Sequence, residues 1–191
     1  MNRSDPPRIL LTGSPGCGKS TVIRSVIKCL PFRPDGFHTR EILRGEIRYA
    51  FETLTLDGKQ GILAGLDLES PHRVGPYGVN IETVDQLAVP LIRKAAIEEN
   101  LLIIDEIGPM QFFSAQFCQA VLEVLDSRAS ILGTIVQRSV PFADQLKARD
   151  DITIIEVTLE NRDNLPDQIL QQLQVLTGEN RRFSPGCDRP R

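Results

Sequence analysis

Eight residues, Gly13-Ser14-Pro15-Gly16-Cys17-Gly18-Lys19-Ser20, narrow the folds open to this chain more than any other segment. They complete the spacing Gly-x-x-x-x-Gly-Lys-Ser and stand between two readable elements. Ile9-Leu10-Leu11 before them has strand character, and residues 21–30 after them predict a helix with Val22, Val26 and Ile27 on one stripe. That setting gives the spacing its mechanism. Glycines let the loop curl with its N–H groups inward, and the helix start adds the positive end of a dipole. The expected guest is a triphosphate, lined by Gly13, Ser14, Pro15, Gly16, Cys17, Gly18, Lys19, Ser20 and Thr21. Lys19 would reach the β- and γ-phosphates, and the Ser20 hydroxyl would ligate Mg²⁺.

The remaining sequence has the material for one ordinary domain: 191 residues, 41% hydrophobic. We expect the domain to cover 1–176, with 36–80 as a β-rich insertion and 177–191 as a disordered tail. Net charge is −3; the tail holds four arginines against Glu179 and Asp188, which leaves −5 on the body. So acidic a body argues against nucleic acid as a partner, since that needs a basic face. No apolar run approaches the roughly 20 residues that span a bilayer, and the first residues lack the apolar stretch of a secretion signal. A cytoplasmic chain without a membrane partner is the expectation. Cys17, Cys29, Cys118 and Cys187 are scattered, which indicates neither a zinc site nor a disulfide framework. Cys17 reads as a small filler in the loop, with an oxidisable thiol as the alternative. His38 and His72 read as surface or loop residues rather than metal ligands.

Four apolar runs, 9–11, 101–104, 131–135 and 152–157, are separated by helical patterns and read as buried strands of a parallel sheet. Each ends on or beside a polar residue: Thr12, Asp105 with Glu106, Thr134 and Thr158. Ligands of open α/β sheets bind past those carboxyl ends, so the chemistry collects along one edge. Val84, Leu87, Ala88, Leu91, Ile92 and Ala95 form a helical stripe that Pro90 should kink or break. Ser114 suits the N-cap of a helix carrying Phe117, Val121, Leu122 and Leu125. A last helix over 161–176 would turn Leu165, Ile169, Leu173 and Leu176 inward. Residues 36–65 alternate around turns at Arg44-Gly45 and Asp57-Gly58 and predict an antiparallel meander appended to the parallel core. Residues 73–80 follow as a loop or edge strand.

Asp105 at a strand tip can hold Mg²⁺, and Glu106 beside it can orient or deprotonate a water attacking the γ-phosphate. The bland alternative for Glu106 is a helix-capping acid. Thr134 is either a sensor of the γ-phosphate or an ordinary strand residue. Asn161 and Arg162 either cap the final helix or contact the base, since a guanidinium plane can stack on a ring. Charge developing on the γ-phosphoryl also calls for an arginine. Arg40, Arg44, Arg48, Arg73, Arg138 and Arg149 are candidates, with Arg48 or Arg73 placed first.

These blocks, in order, resemble the small P-loop nucleoside-triphosphatases of the cancer-related or thermophile type. They are 13–21, Asp35-Gly36-Phe37-His38-Thr39-Arg40-Glu41-Ile42, Arg73 to Asn80, Asp105-Glu106-Ile107-Gly108-Pro109-Met110, Leu132-Gly133-Thr134-Ile135 and Thr158 to Asp163. The resemblance implies an α/β P-loop NTPase fold of the RecA-like branch, with a mainly parallel central sheet flanked by helices. It also implies slow, Mg²⁺-dependent hydrolysis of ATP, GTP and other nucleoside triphosphates to diphosphate and phosphate, with broad base selectivity. Two departures stand out. Gln111 replaces an acid that usually follows Pro-Met, so any acid–base duty there is lost, and Arg44-Gly45-Glu46-Ile47-Arg48 replaces a more basic, glycine-rich turn.

Two other functions share the same loop. A small-molecule or nucleotide kinase would need an acceptor pocket, which 36–80 could furnish. A nucleotide-binding switch would bind with little turnover, although the chain has no Asn/Thr-Lys-x-Asp motif for reading guanine.

Overall fold

The computed structural model describes residues 5–174. The predicted tail over 177–191, Cys187 and Leu176 lie outside the described residues. Strand β1 (Arg8–Thr12) leads through the glycine loop into α1 (Lys19–Cys29). Strands β2 (Asp35–Arg44), β3 (Ile47–Thr55) and β4 (Gln60–Gly65) follow, and then a small hairpin of β5 (Arg73–Val74) and β6 (Tyr77–Val79). Helical turns α2 (Ile81–Thr83) and a π-helical turn (Val84–Ala88) run into α3 (Val89–Glu98). Then come β7 (Leu101–Ile107), a 3₁₀ turn (Gln111–Phe113), α4 (Ala115–Leu125), β8 (Ser130–Ile135), α5 (Pro141–Lys147), β9 (Thr153–Glu156) and α6 (Leu165–Gln174).

One sheet of nine strands, in the order β5-β6-β4-β3-β2-β7-β8-β1-β9, carries all of this. The stretch from β2 to β9 is parallel, and from β2 outward through β3, β4, β6 and β5 it is antiparallel. Alternation along the parallel strands sorts the core into two faces. Ile9, Leu11, Ile103 and Leu132 pack with Val22, Val26 and Ile169 of α1 and α6. Leu10, Leu102, Ile104 and Ile131 pack with Ile92, Val121 and Leu146 of α3, α4 and α5. Helices on both faces leave the strands' carboxyl ends as the open edge.

Three expectations need correction. The meander is not merely appended, because β2 begins at Asp35 and pairs in parallel with β7 from Asp35↔Leu102 to His38↔Asp105. It escapes detection because Phe37 is its lone large apolar residue between Gly36 and His38. Pro90 neither breaks nor sharply ends the helical run over 81–98. Val89 N–H bonds to Val84 O, five residues back, and this wide turn resets the register just before Pro90 enters the first turn of α3, where its missing N–H is harmless. Helix α6 begins at Leu165 rather than at 161, since 158–164 form a bonded turn. Ser114 caps α4 as expected, its hydroxyl accepting from Phe117 N–H at 2.9 Å. Among the described residues no helix is long and apolar enough to cross a membrane.

Candidate active site

The glycine loop is held from the β9 side. Gly13 has φ +132° and Gly18 +112°, a left-handed region that side chains avoid. A Cβ on Gly13 would stand 2.7 Å from Val157 O, and Val157 N–H donates to Thr12 O at 2.8 Å, so the chain leaving β9 runs along the start of the loop. At Gly18 a Cβ would stand 3.1 Å from Arg162 Cδ, so the Arg162 stem lies directly over the end of the loop. Helix α1 starts with no side-chain cap and no acid in its first turn, which leaves its leading N–H groups open to an anion. Lys19 Nζ arches back to donate to Gly13 O at 2.8 Å and Ser14 O at 3.0 Å. Ser14, Pro15, Gly16 and Thr21 are exposed, and Gly18, Lys19 and Ser20 are half-buried. Cys17 is buried among Ile9, Val22 and Val157, the place of a small filler.

Across β8 from the loop, β7 brings up its two acids. Asp105 is buried, and the fully buried Thr134 Oγ1 donates to its Oδ1 at 2.7 Å. Thr134 is thus engaged with the carboxylate rather than being an idle β-branched residue. Glu106 follows through a cis peptide and folds over Gly108, where a Cβ would stand 2.5 Å from its Oε1. Burial pushes the Glu106 carboxyl above its ordinary value, the Asp105 charge beside it pushes the same way, and Lys19 opposes both. Glu106 therefore lies within electrostatic reach of both Asp105 and Lys19. Ser20 and Asp105 offer a hydroxyl and a carboxylate, hard oxygen donors without sulfur or imidazole, which suit Mg²⁺. Among the described residues no group of three or more His, Cys, Asp and Glu could by itself hold a metal, so one carboxylate completed by phosphates and water is the fitting arrangement.

On the other flank of β7, sequence reading missed His38. It is not a loop residue; it sits mid-strand, half-buried and in register with Asp105. Burial pulls its pKa below the ordinary value, while Asp105 raises it and Arg24 and Arg40 lower it. One rung further, Arg40 Nε and Nη2 both bind Oε1 of the buried Glu52, at 2.7 and 2.5 Å. The favoured arginines lie elsewhere. Arg73 is on edge strand β5, bonded to Pro76 O, and Arg48 pairs with Glu41 at 2.9 Å. Asn161 ties down the turn after β9: its Oδ1 accepts from Thr158 N–H at 2.9 Å and its Nδ2 donates to Glu156 O at 2.8 Å. Of the pair proposed to meet the base, Arg162 is the one left facing the loop.

A family model described as NTPase matches residues 8–170. The chain belongs to that family. Among named relatives, the nucleoside-triphosphatase THEP1 of Thermotoga petrophila is 41% identical over 91% of this chain and 96% of its own length. The human cancer-related nucleoside-triphosphatase is 38% identical, over 87% and 96%. The crystal structure of THEP1 from Aquifex aeolicus superposes with a TM-score of 0.81 at 33% identity, covering 87% of this chain and 99% of that one. The solution structure of a human cancer-related nucleoside triphosphatase gives 0.76 at 35%, covering 91% and 100%. The α/β P-loop architecture and the family read from the sequence both stand. At the departure from the family pattern, Gln111 is buried; its N–H bonds Gly108 O at 3.1 Å and its Nε2 reaches Thr39 Oγ1 at 3.5 Å. Its amide therefore braces the turn that follows β7.

Proposed function

We propose that this chain hydrolyses nucleoside triphosphates, ATP and GTP among them, in a Mg²⁺-dependent reaction with broad base selectivity. One observation carries the reading: Lys19 of the glycine loop and the Asp105–Glu106 pair of β7 share one sheet edge, close enough for the Lys19 charge to bear on Glu106, whose carboxyl is driven up by burial. A carboxylate whose proton affinity is raised in such a place is suited to taking up a proton from water.

The loop N–H groups and Lys19 hold the β- and γ-phosphates. Ser20 and Asp105 would hold Mg²⁺, with Thr134 fixing the carboxylate that does so. Mg²⁺ held by these residues would supply positive charge to offset the negative charge of the polyphosphate. Glu106 orients a water and accepts its proton as the water oxygen bonds to the γ-phosphorus. The bridging P–O bond breaks with its electron pair going to the β-phosphate, and the proton passes from Glu106 to the departing phosphate or to solvent. Arg162, planar and over Gly18, meets the base through its π face. A face contact does not read the hydrogen-bonding edge, which accounts for loose selectivity.

A cytoplasmic setting belongs to the same reading, and Cys17 and Cys118 standing as thiols suit a reducing compartment. The test is phosphate release from ATP and GTP with Mg²⁺, with and without candidate acceptors, for wild type, Lys19→Ala and Glu106→Gln. Acceptor-independent release lost in both variants is the expected result. Release only with an acceptor would make this a kinase, and tight binding without release a switch.

A further inference from the structure

The sequence requires an arginine for the γ-phosphoryl and leaves several open; the fold separates them. Arg149 lies on the amino-end side of the sheet, bonded to Asp126 at 2.9 Å and to Asp151 at 2.8 Å, far from the site edge. Arg44, the last residue of β2, stacks over the Tyr49 ring with its Cζ 3.3 Å from the centroid. Arg48 and Arg73 are held as described above. Arg138 is exposed in the chain after β8. Arg162 lies beyond β1, on the β9 side, at the opposite end of a triphosphate from the acids.

Arg40 differs from all of these. Its strand borders β7, and the pairing of His38 with Asp105 puts those two side chains on one face. Arg40, two residues on, shares that face and stands about 7 Å further along the strand than the His38–Asp105 pair, the last of the β2–β7 ladder. His38 lies within electrostatic reach of Asp105, Arg24, Arg40 and Glu52 together, which ties the four to one cluster. Glu52 is opposite Arg40 in the β2–β3 ladder, and its carboxylate is only 8% exposed whereas Arg40 is 58% exposed. A buried carboxylate that grips Nε and Nη2 fixes the guanidinium and leaves Nη1 outside the grip. Preorganisation of this kind is what stabilises developing charge, since no reorganisation is needed as the reaction proceeds.

We infer that Arg40 is the in-cis arginine of the hydrolytic reaction, contacting the γ-phosphoryl group from the β2 side while Glu52 holds it in place. The inference rests on the proposed hydrolysis and adds a residue to that same site. The γ-phosphoryl would then sit between Lys19 on one flank and Arg40 on the other, with Asp105 and Glu106 below.

The test compares wild type with Arg40→Gln, Arg40→Lys, Arg138→Gln and the double variant Arg40→Gln/Glu52→Gln, which removes the buried charge that Arg40→Gln alone would strand. Two quantities are measured with Mg²⁺: kcat for ATP, and the affinity ratio between a non-hydrolysable ATP analogue and ADP. In Arg40→Gln and in the double variant the expected result is a kcat lower by roughly 10³-fold. The analogue loses its advantage over ADP while ADP affinity stays within about twofold. Arg40→Lys recovers part of both, and Arg138→Gln changes neither. A double variant that keeps kcat within about threefold of wild type would overturn the inference. So would equal loss of analogue and ADP, which marks a structural role, or the whole effect appearing in Arg138→Gln. If wild type releases no phosphate at all, the proposed hydrolysis fails, and the analogue-to-ADP ratio still decides whether Arg40 meets a γ-phosphate.

Discussion

Thr134 Oγ1 donates a 2.7 Å hydrogen bond to Asp105 Oδ1 in the buried middle of the sheet edge. The bond fixes which lone pairs of the carboxylate face outward. Replacing Thr134 with Val keeps the shape and removes the donor. We expect the Mg²⁺ concentration for half-maximal hydrolysis to rise about 10- to 100-fold, the usual price of losing a supporting partner to a metal ligand. An unchanged Mg²⁺ titration would show that Asp105 needs no such support.

Gly108 sets the position of Glu106. A methyl group there would stand 2.5 Å from Glu106 Oε1 and 2.9 Å from its Cδ, both atoms of a movable side chain rather than backbone. Gly108→Ala should therefore displace the carboxylate without unfolding the protein. We expect kcat to fall about 100-fold, the penalty for misplacing a reacting group by an ångström. Stability should stay within about 0.5 kcal/mol by urea denaturation. Wild-type kcat in this variant would mean that Glu106 does not handle the proton.

Gly36 has the opposite character. With φ +138° it brings β2 so close to β7 that a Cβ would collide with the carbonyl oxygen and backbone of Ile103. Neither side can yield. Gly36→Ala should destabilise the fold by about 3 kcal/mol or more, read from the urea midpoint.

If Arg162 meets the base by its face, Arg162→Ala should raise KM for ATP, GTP and CTP by similar factors. About 1 kcal/mol of stacking corresponds to roughly fivefold in each. A loss confined to one base would mean that the edge is read after all.

Acid stability should depend on a cluster at the amino end of the strands. Arg149 donates from Nε and Nη2 to Asp151, and Arg8, itself buried, donates to the same carboxylate at 2.7 Å. The Arg149 hydrogen bonds first, and then the charges of Arg149 and Arg8, outweigh burial and hold the Asp151 carboxyl below its ordinary value of 3.8. A depressed acid contributes stability above its unfolded-state pKa and loses it as pH falls through the folded one. Urea midpoints of wild type should therefore drop between about pH 5 and pH 2, whereas Asp151→Asn should start lower and change less over that range. Parallel curves for the two proteins would remove Asp151 from the account.

Local patterns account for what the sequence discloses. The glycine loop, the acids ending 101–104 and the Ser114 cap each depend on residues a few positions apart, and each is found where the spacing places it. Long-range pairing is what stays hidden. No short window shows that His38 would face Asp105, or that Arg40 would find Glu52, because those pairs arise only once β2 lies between β7 and β3. Helix α5 is missed for a different reason. It has seven residues, of which Ala143 and Leu146 are fully buried and Phe142 partly so, too short a run for a periodic stripe. The stripe around Pro90 is read correctly as helical; of the kink or break expected there, the break does not occur, because the widened turn at 84–88 carries the helical run on to Pro90.

Because β2 belongs to both halves of the sheet, the two halves tolerate change unequally. Its first four residues are pinned to β7, whereas the tip around Gly45, flanked by the exposed Leu43 and Ile47, closes the hairpin with β3 through Arg44↔Ile47. A reporter peptide or small tag grafted between residues 45 and 46 would thus hang from the strand as a pennant does from a mast. Deleting the strand itself would open the flank of Asp105 and Glu106 to solvent.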